Sequence, residues 1–227
     1  MAQHANALQQ LILAHRFRKE IDIAISLDPH DVQARRDLLE FYLLAPGIAG
    51  GDIKKAEIVA QQIGAIDECE GLLATARIAE FRKDRGQQEI LLKRAAAVRP
   101  QRYKALTMLA EFYLIHDNDA AAEEVARGAL RIDPERVKAY CVLASIYARR
   151  ADWAAVETVL SEAEQHVPDD RAPYYAAGER IVADGRDPVR AERYLRMYLA
   201  QEPEGNQPSI AEARSQLNLA RHLAVPQ

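Results

Sequence analysis

Prolines divide this chain at nearly constant intervals. Pro100, Pro134 and Pro168 stand 34 residues apart, and Pro203 follows after 35. With Pro29, five of the ten prolines close an apolar helical run, two of them in the dipeptides Asp28-Pro29 and Asp133-Pro134. Proline has no N–H to give to the helix ladder, and its ring clashes with the preceding turn, so each of these positions ends a helix. A stop every ~34 residues leaves room for one pair of helices per interval. The chain is therefore expected to be a linear series of short units.

The apolar spacing inside each interval agrees. Between Pro100 and Pro134 the first helix reads Leu106, Leu109, Ala110, Tyr113 and the second Ala122, Ala126, Ala129. Between Pro134 and Pro168 the matching sets are Tyr140, Leu143, Ala144, Tyr147 and Val156, Leu160, Ala163. These follow the i, i+3, i+4, i+7 stripe of a half-buried helix. Small residues recur where paired helices must come close: Ala110, Ala144 and Gly178 on first helices, Ala129 and Ala163 on second ones. The string Leu38–Leu43 resembles Leu109–Leu114, and Ala79-Glu80-Phe81 reads as a third copy. About twelve helices and no strand are expected.

The period, the small residue beside the first-helix Leu, the Tyr three on, the Ala pair of the second helix and the closing Pro resemble the tetratricopeptide repeat. The resemblance covers about residues 29–223 and is strongest over 101–168; the signature Trp is replaced by Leu106 and Tyr140. It implies an all-α, right-handed superhelical solenoid of antiparallel helix pairs whose first helices line a concave groove. The organisation expected is a capping segment at 1–28, five repeats at 30–67, 68–100, 101–134, 135–168 and 169–203, and a capping helix in 204–227. The first repeat carries an extended turn, Ala45–Gly51, with Asp52 capping the next helix. The second turns tightly at Gly86, and Asp187-Pro188 starts the second helix of the fifth. Leu8, Leu11, Phe17, Ile21 and Ala24 fit one N-terminal helix, with Phe17, Ile21 and Ala24 in the register of a second repeat helix. At the far end Ile210, Ala213, Leu217 and Ala220 share one face, and Glu212, Arg214, Asn218 and Arg221 give the polar outer face that the end of a solenoid needs. Trp153 is expected to pack in a tight turn.

Composition excludes several classes. With 49% hydrophobic residues the chain has enough apolar material to escape disorder. A formal charge of −4 lacks the basic excess of a nucleic-acid-binding domain, so no nucleic-acid partner is expected. No apolar run approaches the ~18 residues of a membrane span. The start has neither the basic nor the apolar region of a signal peptide, which points to the cytoplasm, or to the periplasm if a signal peptide has been removed. Cys69 and Cys141 are expected as two free thiols in helical cores.

No enzyme is expected. No two of the six histidines are spaced i, i+4, no HExxH or Gly-x-Ser-x-Gly is present, and no metal or cofactor is expected. Gly47–Lys54 has the wrong spacing for a phosphate loop and follows a helix rather than a strand. Function is expected in the groove instead. The family's concave registers fall on Arg36 and Glu40, on Glu80 and Lys83, on Lys104, Thr107 and Glu111, on Lys138, Cys141 and Ser145, and on Tyr175 and Glu179. Glu40, Glu80, Glu111 and Glu179 occupy one equivalent position, interrupted by Ser145. Two readings follow: an acidic stripe for a peptide bearing Lys or Arg, or a solvated groove neutralised by Arg36, Lys83, Lys104 and Lys138. The Asn residues that family members use to clamp a C-terminal carboxylate are missing, which argues against that ligand. The resemblance implies a non-catalytic scaffold or adaptor that binds a peptide or partner helix, with Tyr175 as an anchor. The alternative is a regulatory or self-assembling module of a larger protein or complex, a homo-oligomer included.

Overall fold

The computed structural model describes residues 7–201 and 208–224, with the backbone alone for 7–11. The Pro203 stop and the apolar positions Leu8 and Leu11 lie outside the side chains so described. The described residues are α-helical throughout, apart from turns and one 3-10 turn. The chain divides into two compact units, Met1–Gln101 and Arg102–Gln227.

The first unit holds α1 (Ala7–Leu27), α2 (Val32–Leu44), α3 (Ile53–Ile66), α4 (Glu68–Phe81) and α5 (Arg85–Ala97). Each helix packs on the next, and α2 also meets α4. The 3-10 turn Gly47–Ala49 fills the extended connection after α2, and Asp52 caps α3 through the N–H groups of Lys54 and Lys55. Glycine is required there at Gly51, since a Cβ would stand 1.8 Å from the carbonyl oxygen of Ala45. In α1 only Ile21 of the expected stripe is buried, and Ala24 is half-covered. Phe17 is 51% exposed rather than in register with a second repeat helix. The bonds that bind α1 come from a polar residue: Arg18 donates to the Tyr42 hydroxyl and lies 4.8 Å from the centre of that ring.

The second unit holds α6 (Tyr103–Ile115), α7 (Asp119–Ile132), α8 (Lys138–Arg149), α9 (Trp153–His166), α10 (Ala172–Ala183), α11 (Pro188–Leu199) and α12 (Ile210–Ala224). Successive helices pack together, and α6 meets α8, α8 meets α10, and α10 meets α12. That alternation marks stacked pairs, in which first helices touch first helices. The expected stripes are the core: Leu109, Ala110, Ala122, Ala126, Ala129, Leu143, Ala144, Val156 and Leu160 are all at most 5% exposed. Burying a residue such as Leu143 contributes about 1.5–3 kcal/mol. Polar clamps tie one pair to the next. The Tyr103 hydroxyl donates to the Arg136 carbonyl at 2.7 Å and accepts from the Ala139 N–H at 2.9 Å. It thereby satisfies a first-turn donor of α8, which has no side-chain cap of its own. Trp153 sits at the first position of α9 rather than in the turn, with the Arg190 guanidinium 4.6 Å from its ring centre.

A second ruler runs through the turns. Lys83, Asp117, Ala151 and Gly185 follow each other at 34-residue spacing, and all four take a left-handed backbone, φ +55 to +63°. In three turns the next residue caps the second helix: Asp84 accepts from Gln87 N–H, Asn118 from Ala121 N–H and Asp152 from Ala155 N–H. The fourth has one extra residue before Asp187, which accepts from Arg190 N–H. The tight turn of the second pair is thus made at Lys83, and Gly86 is already inside α5.

This ruler also corrects the register of α4. Arg77 stands at the position of Glu111, Ser145 and Glu179, each 34 residues from the next. Ala79-Glu80-Phe81 is therefore no third copy of the repeated string; Ala76 is the buried small residue, and Phe81 is 43% exposed. Between α3 and α4 the connection is Asp67 alone, which ends one helix and caps the other. So short a link forces the two backbones together at Gly64 and Gly71.

Candidate functional site

The expected groove residues separate into three groups once placed. In the first unit, Glu40 is held by a two-pronged bond from Arg77, Nε at 2.8 Å and Nη2 at 3.0 Å, and the third nitrogen of Arg77 reaches Glu80 at 3.3 Å. The hydrogen bonds to Glu40 come first in holding the Arg77 guanidinium above its usual pKa, against the opposing effect of burial. Arg36 meets Glu70 at 3.4 Å rather than Glu40. Lys83 lies in a turn, off the helix face. Glu40 and Glu80 therefore share Arg77, which is not among the expected groove residues; it stands 37 residues from Glu40 and three from Glu80.

In the second unit, Lys138 reaches Glu111 at 3.4 Å, the pairing expected of a neutralised groove. Lys104 is the second residue of α6, and Thr107 Oγ1 donates back to its carbonyl. Thr107 and Tyr175 share a register with Cys141, and this register is turned inward: Thr107 is 2% exposed and Tyr175 6%. Tyr175 is consequently no open anchor. Its ring packs 5.4 Å from that of Tyr198. Burial, then the bond to Glu179, pushes its hydroxyl well above the ordinary range, so it stays a donor at any physiological pH. Burial likewise pushes the Cys141 thiol up, followed by the charges of Asp170 and Glu111, which suppresses the thiolate a nucleophile needs.

Ser145 and Glu179 are the two expected residues that meet at an open site. They line a cleft of 790 Å³ formed by α6, α8, α10 and α12, the first helices of the unit together with the last helix. Its apolar wall is made by Leu114, Ile115, Ala176, Val182, Leu219 and Leu223. Its polar groups are Asp117, Ser145, Arg149, Glu179, Arg180, Gln216 and His222. Ser145 Oγ donates to the Ala176 carbonyl at 3.4 Å. Arg149 is paired with both Asp117 and Asp119, and Arg180 with Asp184. The Nε atoms of Arg149 and Arg180 and Oε1 of Gln216 are buried without a hydrogen-bond partner.

Most of this lining is not among the expected groove residues, which in this unit reach only as far as Glu111, Ser145 and Glu179 along the first helices. The cleft instead uses the last turns, one step of four residues further: Ile115, Arg149 and Ala183 follow Glu111, Ser145 and Glu179. It also uses α12, whose apolar positions Leu219 and Leu223 lie beside, not on, the packed face of Ala213, Leu217 and Ala220. The signal available was the excess of leucines in α12 over what one packed face requires. Among the described residues no three His, Cys, Asp or Glu side chains gather into a group that could hold a metal ion. No helix among them is long and apolar enough to cross a membrane.

Comparison with solved structures places this architecture. A tetratricopeptide-repeat protein with an unusual peptide-binding site, YrrB, superposes with a TM-score of 0.51 at 11% identity, over 89% of this chain and 96% of that one. PilF of Pseudomonas aeruginosa gives 0.53 at 15% identity, over 91% and 90%. The chain has the tetratricopeptide-repeat fold. A monomeric mutant of IFIT1 with Gppp-AAAA gives 0.53 at 12% identity, over 93% of this chain and 55% of the other. These identities bear on fold alone. No protein-family model and no curated protein sequence matches the chain. In the repeat fold the cleft of α6, α8, α10 and α12 is a groove between first helices, with α12 taking the place of one more.

Proposed function

We propose that this protein is a non-catalytic protein-interaction module, and that its second unit seats a segment of a partner protein in the groove of α6, α8, α10 and α12. The observation that carries the reading is the groove itself: an open cleft with an aliphatic wall that leaves Ile115 72% and Leu219 50% exposed. Apolar side chains grouped in a concavity mark a binding site more often than scattered ones do. Arg149, Arg180 and Glu111 are each paired and the Cys141 thiol is held above its ordinary pKa, so binding rather than chemistry is the role that fits.

The test is a photo-reactive amino acid placed at position 219, in the groove, and separately at position 132, on α7 and outside it. Discrete protein adducts at 219 that are absent at 132 are expected. Identical adducts at both positions, or none at 219, would refute the reading.

Self-association is a second reading, supported by α1. Leu13, Phe17 and Leu27 are 57%, 51% and 81% exposed on one side of that helix. Light scattering over a range of concentrations tests it; a mass that stays at 25.4 kDa excludes it.

A further inference from the structure

The groove proposed above has a polarity that narrows what it can hold. Every cation that lines it already faces acid: Arg149 has Asp117 and Asp119, and Arg180 has Asp184. His222 is engaged through Nδ1 with the Asn218 carbonyl at 2.6 Å. Glu179 is the exception. It accepts the Tyr175 hydroxyl at 2.9 Å, and among the described residues no cation pairs with it. Its neighbour in register, Ser145, contributes no charge, whereas Glu111 in the same column has Lys138. An exposed carboxylate without a counter-charge thus stands at the rim of an aliphatic cleft.

The backbone of the occupant is constrained as well. An extended peptide brings an N–H and a C=O per residue, and each needs a partner when buried. The walls are helices whose own backbones are internally bonded, and the unpartnered side-chain atoms are few. A helical segment satisfies its backbone by itself. The size fits: a cylinder ~10 Å wide and two helical turns long fills roughly 850 Å³, against 790 Å³ of cleft.

We propose that the groove of the second unit takes an amphipathic helix whose aliphatic face packs on Leu114, Ile115, Leu219 and Leu223 and whose Lys or Arg pairs with Glu179. This rests on the groove reading of the preceding section and assigns the partner's chemistry. Aliphatic anchors supply affinity, and the charge supplies orientation and choice of partner.

The experiment uses the full chain and three fluorescein-labelled helical peptides of 16 residues, a length chosen for roughly four turns. One carries a leucine stripe flanked by lysines, one the same stripe flanked by glutamates, and one the lysines with serines in place of the stripe. Anisotropy at low and moderate salt is measured for the native chain and for Glu179→Gln, Glu179→Lys and Leu219→Glu, each checked for native helicity by circular dichroism. The lysine-flanked leucine peptide is expected to bind the native chain about tenfold tighter than the glutamate-flanked one. Glu179→Gln narrows the gap, Glu179→Lys reverses it, and Leu219→Glu weakens both. If both leucine peptides bind alike and Glu179→Lys changes nothing, the charge assignment is overturned while the groove reading stands. If the serine peptide binds as well as its leucine counterpart, or if no peptide binds, both fall.

Discussion

Gly64 and Gly71 face each other across the α3–α4 interface, yet the structure treats them unequally. A Cβ built on Gly71 lies 2.3 Å from Gly64 Cα and 2.7 Å from its nitrogen, whereas a Cβ on Gly64 meets Gly71 Cα at an ordinary 3.6 Å. Gly71→Ala must therefore separate the helices by about 1.1 Å to regain the 3.4 Å limit of ordinary contact. The obstructing atoms are backbone, so no rotamer change relieves them. Asp67 alone links the helices, which bars a local shift. A gap of that size forfeits roughly a quarter to a half of each dispersion contact along the interface, where Ala60, Ile63, Ala74 and Ile78 are buried. Overpacking of this kind costs ~1–3 kcal/mol and occasionally more, against a gain of ~1 kcal/mol from replacing a helical glycine. We expect a net loss of about 2 kcal/mol, near the top of the range because nothing yields. Gly64→Ala keeps the propensity gain with no clash and is expected to stabilise by ~0.5–1 kcal/mol. Urea unfolding followed by circular dichroism measures both. With a slope of ~2 kcal/mol/M the midpoint of Gly71→Ala falls by about 1 M, while that of Gly64→Ala holds or rises. Equal midpoints for the two variants, in either direction, would refute the close-approach argument.

Three other outcomes follow from the turns and the polar clamps. Ala151→Gly relieves a left-handed alanine (φ +55°) and is expected to raise stability by ~0.5–1 kcal/mol in the same urea assay. Asp152→Ala removes the cap that accepts from Ala155 N–H at 3.1 Å and is expected to cost ~1 kcal/mol, whereas Asp152→Asn costs little. Burial raises the pKa of Glu123, but the bonds from Tyr147 and Arg150 outweigh it and hold the carboxyl below its ordinary 4.5. A depressed pKa contributes stability that is present above that value and lost as the pH falls through the lower, folded one. Glu123→Gln should therefore make thermal stability fall less steeply below about pH 4.5 than in the native chain, and an unchanged slope would count against the clamp.

The helix pairs were legible because proline and the alanine stripes report on backbone geometry directly. Leu109, Ala110, Leu143 and Val156 could be placed in the core from spacing alone. The left-handed turn column could not, since its four members are lysine, aspartate, alanine and glycine; the conformation is imposed by the helices on either side. That hidden column is also why apolar spacing puts Glu80 in the place of Arg77, and a three-residue slip in α4 turns a basic position into an acidic one. Charge pairing was illegible for a different reason. Arg77 finds Glu40 across 37 residues, a distance at which many carboxylates compete as candidates. The cleft reaches one helical turn beyond Glu111, Ser145 and Glu179, and Tyr175, on the inward register, packs on Tyr198 of α11.

Helix α12 keeps its two duties on separate faces. Ala213, Leu217 and Ala220 hold it to the stack, and Gln216, Leu219, His222 and Leu223 shape what the groove presents. Substitution on the second face changes the lining of the cleft and leaves the packed residues Ala213, Leu217 and Ala220 as they are. The shape and charge of the cleft can thus vary through a handful of changes in one helix, at little risk to stability.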